Sequence, residues 1–140
     1  MDVYKDLQQQ FINRTVKKRY IALLEGDVVK DEGEINLPLR LDIEDRPRQM
    51  VCEEHGKKAV TRWKVESRKD GKTRIAFYPI TGRTHQLRVH AAHQLGLGCP
   101  IVGDDLYGQI GERLHLHAQF LKLIHPVSQK KMVFKCNPEF

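Results

Sequence analysis

Ala59-Val60-Thr61-Arg62-Trp63-Lys64-Val65, then Asp70-Gly71, then the run from Thr73 to Ile80, is the stretch on which the fold turns. Ala59, Thr61, Trp63 and Val65 fall on one face of a period-two pattern, as in a strand with one side buried. Asp-Gly between two such runs is a strong local signal for a tight hairpin. The polar residues from Glu66 to Lys72 are therefore the tip of that hairpin and not a domain boundary.

Around this hairpin the other elements fall into place. Lys18 to Leu24 is strand-like. Residues 35–43 alternate around Ile35, Leu37, Leu39 and Leu41, and Pro38 limits that stretch to an edge or irregular strand. Val3, Leu7 and Phe11 recur at i, i+4 and i+8 and predict a helix over 3–12, with only Asp2 to cap it and Asn13-Arg14 to end it. Leu87, Ala91 and Leu95 form one stripe and predict a second helix over 84–95, with Thr81 or Thr84 as its cap and Gly96 closing its end. Ile101-Val102 reads as a short strand. Leu116 to Ile124 and Lys131 to Lys135 read as a final hairpin around Pro126 and Ser128. This order predicts an α+β fold: a mostly antiparallel mixed sheet with two main helices, in a single domain over 1–140.

Of the 140 residues, 40% are hydrophobic and 30% charged, and no apolar run approaches the length that spans a bilayer. The start, Met1-Asp2-Val3-Tyr4-Lys5-Asp6, has no basic and then apolar segment of the secretory kind. Cys52, Cys99 and Cys136 are odd in number and widely spaced, so free thiols in a reducing, cytoplasmic setting are expected. A net charge of +6 and a pI near 9.3 are the footprint of a moderate polyanion binder, or of a basic but solvated surface.

Thr81-Gly82-Arg83-Thr84-His85-Gln86-Leu87-Arg88-Val89-His90 is the densest chemical signal. Arg83, His85, Gln86, Arg88 and His90 supply nitrogen donors at the mouth of the second predicted helix, where backbone N–H groups also attract anions. Thr84, His85 and Arg88 share a face while Leu87 and Ala91 turn to the core. A merely solvated polar face is the competing reading. Lys17-Lys18-Arg19 precede Tyr20 on a strand, an arrangement that suits a stacked base with a phosphate nearby. The plain alternative is a tyrosine packed in the sheet. His85, His90, His93, Cys99, His115 and His117 crowd one third of the chain, with His115 and His117 expected on one strand face, but none has zinc-site spacing. A zinc-binding domain therefore ranks last among the readings.

Gly82-Arg83-Thr84-His85-Gln86-Leu87-Arg88-Val89-His90 resembles the signature of RluA-family pseudouridine synthases. Pro100-Ile101-Val102-Gly103-Asp104-Asp105-Leu106-Tyr107-Gly108 is similar to the family's next block, with Asp104 supporting the turn after Val102. Leu116-His117-Ala118, His125-Pro126, Phe134 and Lys18-Arg19-Tyr20-Ile21-Ala22 fit further blocks in order. The resemblance implies the pseudouridine synthase fold and isomerisation of uridine to pseudouridine in ribosomal or transfer RNA, with no metal, cofactor or membrane involved. It implies that Tyr20 stacks on the flipped base, that Arg88 pairs with a catalytic aspartate, and that Leu116 helps wall the base pocket. Lys17, Lys18, Arg19, Arg83, Thr84, His85 and Gln86 would contact the RNA.

One departure is plain. The family's aspartate lies in a His-Arg-Leu-Asp block upstream of the tyrosine segment, and this sequence has no such block. Arg40-Leu41-Asp42 comes after Tyr20, has Leu39 where the histidine would stand, and does not replace it. The chain is therefore read as a C-terminal part of a synthase, inactive alone, or else as a non-catalytic RNA-binding module. The expected consequences are loss of central strands from the sheet and an Arg88 that turns to solvent, a bound anion or another acidic residue. Dimerisation or strand exchange through an exposed sheet edge is expected as well.

Overall fold

A computed structural model describes residues 17–124 and 131–135. Its elements are β1 (Lys17–Glu25), β2 (Glu32–Asn36), β3 (Leu39–Leu41), β4 (Gln49–Val51), β5 (Val60–Lys69), β6 (Lys72–Pro79), α1 (Gln86–Ala92), β7 (Leu116–Ile124) and β8 (Lys131–Lys135). The central hairpin forms where its pattern asks. β5 and β6 pair antiparallel across Asp70 and Gly71, whose φ values of 54° and 73° are the left-handed pair that a two-residue turn needs.

Six strands join in the order β2-β5-β6-β1-β7-β8, and each neighbouring pair is antiparallel. Among the described residues the ladder has no gap. β1 sits between β6 and β7 and is hydrogen-bonded on both sides. β7 and β8 pair as the final hairpin, while the expected turn at Pro126 and Ser128, the His125-Pro126 match, Cys136 and the helix over 3–12 lie outside the described residues. Among those described, α1 is the one α-helix, and none is long and apolar enough to cross a membrane.

One face of the sheet carries the core. Ala22, Leu24, Ile35, Trp63, Ile75 and Phe77 meet Leu87 and Ala91 of α1, with Ile101 filling the end. Pro38 breaks the stretch at 35–43 in two: β2 is an edge of the large sheet, and β3 pairs with β4 in a separate hairpin. Leu39 then packs with Ala59 and Val89 in a smaller cluster, while Leu41 and Ile43 are exposed. Ile101-Val102 forms no strand; Ile101 makes a lone bridge to Leu24.

The helix differs from its expected form at both ends. It opens at Gln86, not at residue 84, with His85 in the cap position at φ 55° and no side-chain cap from Thr81 or Thr84. It stops at Ala92 because His93 turns extended, leaving Leu95 exposed and not on a buried stripe. The chain then folds back so that Leu97 N–H reaches His90 O and Cys99 N–H reaches Ala91 O. Gly96 permits this reversal, since a Cβ there would stand 2.1 Å from His90 O.

Candidate functional site

A cleft of ≈ 290 Å3 opens where β1, the end of β6, the loop at 81–85, α1 and β7 converge. Lys18 and Tyr20 enter from β1, Leu116 from β7, and Leu87 and Arg88 from α1. Pro79, Thr81, Gly82, Arg83, His85 and Gln86 close one side. Tyr20, Arg88, Lys18, Leu116, Arg83, His85 and Gln86, singled out in three separate stretches of sequence, thus line one space. A register shift in the β1–β7 ladder falls between Arg19 and Tyr20, the kind of irregularity that re-aims a side chain.

Arg88 is the most tightly held group. Its Nε donates to Asp104 Oδ2 at 3.1 Å and its Nη2 to Asp104 Oδ1 at 2.6 Å, a two-pronged pair. Nη2 also reaches Asp105 Oδ1 at 3.2 Å. Asp104 has no exposed surface, and its Oδ1 additionally accepts the N–H groups of Leu106 and Tyr107. The Asp104 hydrogen bond raises Arg88 above its usual value, against the effect of its own burial. Arg88 therefore turns to acidic residues of the Asp104-Asp105 loop, and Asp104 also holds the turn that follows.

Gln86 is a frame residue. It lines the cleft but is 4% exposed, and its amide is committed to partners within the chain. Its Nε2 donates to Val60 O and Thr61 Oγ1, while its Oε1 accepts from Thr81 Oγ1 and from Arg83 N. The loop at 81–85 is thereby tied to the start of β5, and Val60 N–H completes the tie by donating to Thr81 Oγ1. Replacing Gln86 with leucine strands several buried partners and is expected to cost about 2–4 kcal/mol, read as a lower urea midpoint at unchanged slope.

The cationic residues divide by strand alternation. Lys18 points into the cleft, where burial pushes its ammonium pKa down, and Gly82 leaves room beside its Nζ. Arg19 does not join it. Its guanidinium pairs with Glu66 at 2.9 Å, because neighbouring residues on a strand leave by opposite faces. Lys17 is placed on β1 opposite Lys122, and its side chain lies outside the described set. Arg83 borders a second recess of ≈ 440 Å3 with Thr84, Arg40, His55 and Lys57, so the basic lining continues beyond the first cleft.

The histidines separate too. His90 is fully buried between Thr61 Oγ1 and Leu37 O. His85 faces Tyr107, and His115, just ahead of β7, bonds Arg113 O, whereas His117 lies within β7. Among the described residues no three metal-ligating side chains converge. Tyr107 carried no role in the sequence reading, although its block was matched. It links His85, the Arg88 guanidinium 5.4 Å from its ring, and the N–H of Gln49. The signal was its place three residues after Asp104.

Residues 2–93 match the family model described as RNA pseudouridylate synthase. The chain is 49% identical to the "Dual-specificity RNA pseudouridine synthase RluA" of Haemophilus ducreyi and 48% identical to that of Yersinia pestis, in each case over 97% of this chain. It spans 64% of the first protein's length and 68% of the second's. Among solved structures it is similar to human RNA pseudouridylate synthase domain containing 1, with a TM-score of 0.80 and 30% identity over 95% of this chain and 59% of that one. Human RNA pseudouridylate synthase domain containing 4 follows with a TM-score of 0.75, 25% identity and coverage of 96% and 62%.

Proposed function

The chain belongs to the RNA pseudouridylate synthase family, and from that premise we propose that its cleft receives a uridine flipped out of ribosomal or transfer RNA for isomerisation to pseudouridine. The observation that carries this reading is the convergence of Tyr20, Lys18, Leu116 and Arg88 on one cleft. Tyr20 offers a face for the uracil to stack on. Leu116 walls the pocket, and Lys18 with Arg83 takes the flanking phosphates. Flipping the base costs a few kcal/mol, which stacking and these charges offset.

The reaction calls for a nucleophilic aspartate, and the sequence holds no His-Arg-Leu-Asp block. Asp104 is not a substitute, since both of its oxygens are engaged by Arg88 and the following turn. The 140-residue chain alone is accordingly expected to bind RNA without releasing tritium from 5-tritiated uridine in ribosomal or transfer RNA. Release at a steady rate would mean that an aspartate of this chain is the nucleophile, and Asp42→Asn would be the next variant. Asp42 is held near a loop by Glu44 N–H, outside the cleft.

The non-catalytic RNA-binding alternative shares the cleft and parts from this reading at one experiment. Supplying the upstream block on a longer chain yields tritium release only if the cleft is catalytic. In both readings the partner is RNA in the cytoplasm, and β8, at the end of the strand order, is the edge through which a second copy would add a strand. Light scattering showing a monomer at all concentrations would rule out that dimer.

The charge assignment gives its own expected result. Lys18→Ala and Arg83→Ala should each weaken RNA binding and lower the slope of log affinity against log salt by about 1. Arg19→Ala, on the opposite face with Glu66, should leave that slope unchanged. Equal slopes for all three would place the RNA elsewhere.

A further inference from the structure

His85 sits at the rim of the cleft in the left-handed backbone region, held by a contact that fixes its chemistry. Tyr107 Oη accepts the N–H of Gln49 at 2.8 Å. It also meets His85 Nδ1 at 2.8 Å. The Tyr107 hydroxyl has one proton, and among the described residues His85 Nδ1 is the acceptor within reach. The arrangement that also gives the hydroxyl proton an acceptor is the one in which Tyr107 donates to His85 Nδ1. The ring proton of His85 then resides on Nε2, which has no hydrogen-bond partner among the described residues. The two rings meet edge to face, centroids 5.6 Å apart at 79°, so the imidazole plane is fixed as well as its tautomer.

We propose that His85 is a specificity-determining residue that reads the bound RNA nucleotide as a neutral donor, its Nε2–H reaching an oxygen acceptor in the cleft, with Tyr107 as the positioning residue that sets its tautomer. The proposal rests on the RNA reading of the cleft. Burial first, and the Arg88 guanidinium second, push His85 below the usual histidine range, against the opposing pull of Asp104 and Asp105. Neutrality matters because a neutral imidazole with its proton fixed on Nε2 presents a donor and no lone pair at that position. It donates to a uracil 4-carbonyl and opposes the amino group that cytosine carries at the same ring position. A phosphate oxygen and the 2-carbonyl are the other acceptors with this chemistry, and the experiment separates them from the 4-carbonyl.

The test uses the 140-residue chain labelled with nitrogen-15 on histidine, and a short RNA hairpin with one uridine in its loop, beside the same hairpin with cytidine there. At neutral pH the His85 nitrogens should read as protonated Nε2 and unprotonated Nδ1, and the uridine hairpin should shift Nε2 far more than Nδ1. Tyr107→Phe should let both tautomers appear. Glutamine places its amide nitrogen where Nε2 stands, whereas asparagine reaches only the Nδ1 position. His85→Gln should therefore keep affinity within about threefold, and His85→Asn should lose about tenfold. Asparagine tolerates φ 55° better than glutamine does, so a mere backbone effect would give the reverse order.

If the His85→Asn loss vanishes with the cytidine hairpin, the acceptor is the uracil 4-carbonyl. If the loss persists there, the acceptor is a group that cytidine shares, a phosphate oxygen or the 2-carbonyl. A protonated Nδ1, or equal binding by the two variants, overturns the proposal. RNA binding with Nε2 unmoved overturns the His85 assignment alone, whereas an unsubstituted chain that binds neither hairpin overturns the RNA reading and the proposal together.

Discussion

Replacing Asp104 with alanine should cost about 3–5 kcal/mol of folding stability, the usual penalty for stranding one member of a buried ion pair. The Arg88 side chain is 16% exposed and that of Asp104 0%, so water cannot take over the role of the lost partner. Two backbone donors, Leu106 N–H and Tyr107 N–H, lose their acceptor in the same substitution. For a chain of this size the melting temperature should fall by about 10 °C or more. Asp105→Ala is the control. Its side chain is 62% exposed and lies 3.2 Å from the same guanidinium, so its removal should cost below about 1 kcal/mol. Similar losses from both variants would mean that Arg88 is held by summed charge and not by the buried two-pronged pair. The double variant Asp104→Leu with Arg88→Met removes both charges and should recover part of the stability while taking the arginine out of the cleft. That split follows from the geometry, in which one pair organises the loop and presents an arginine to the cleft.

Much of this arrangement was legible before any coordinates. The strands at 60–79 and at the final hairpin follow from alternation and from Asp70-Gly71, which are local signals. Lys18 and Tyr20 from one stretch, Arg88 from a second and Leu116 from a third meet in one cleft. The failures have a common cause, namely that the deciding partner lies far away in sequence. Arg19 was grouped with Lys18 because they are adjacent, yet Glu66 holds it on the other face. Gln86 stands among the donors at the helix mouth in the sequence, whereas its amide is taken up by Val60 and Thr61, 26 and 25 residues earlier. The helix was drawn too long because the apolar stripe continues to Leu95, while the close approach of Gly96 to His90 O ends it at Ala92. Tyr107 had no assigned role because its contacts, His85 and Gln49, become neighbours only when the β3–β4 hairpin closes over α1.

Acidification should destabilise the fold below about pH 6.5 through His90, before most carboxylates titrate. His90 has no exposed surface, and its two nitrogens have fixed roles. Nε2–H donates to Leu37 O at 3.0 Å, so Nδ1 is the acceptor for the Thr61 hydroxyl at 2.9 Å. Thr61 Oγ1 in turn accepts Gln86 Nε2. A proton added at Nδ1 would face that hydroxyl and force it to give up its only acceptor. Burial pushes the His90 pKa down, with the Leu37 carbonyl opposing and His93 reinforcing. Between the unfolded value and the lowered folded one, the unfolded chain binds more protons. The contribution is therefore complete above about pH 6.5 and is lost as pH falls toward the folded pKa, at no more than about 1.4 kcal/mol per pH unit. Urea midpoints from pH 7.5 to 5.0 should decline for the unsubstituted chain. His90→Leu should be less stable at pH 7.5 by about 2–4 kcal/mol, since Thr61 and Leu37 lose their partners, yet its midpoints should change less with pH. His85 is pushed down as well and keeps a slope of the same sign in that variant. A variant slope as steep as that of the unsubstituted chain would assign the acid sensitivity to other groups and leave His90 a packing residue only.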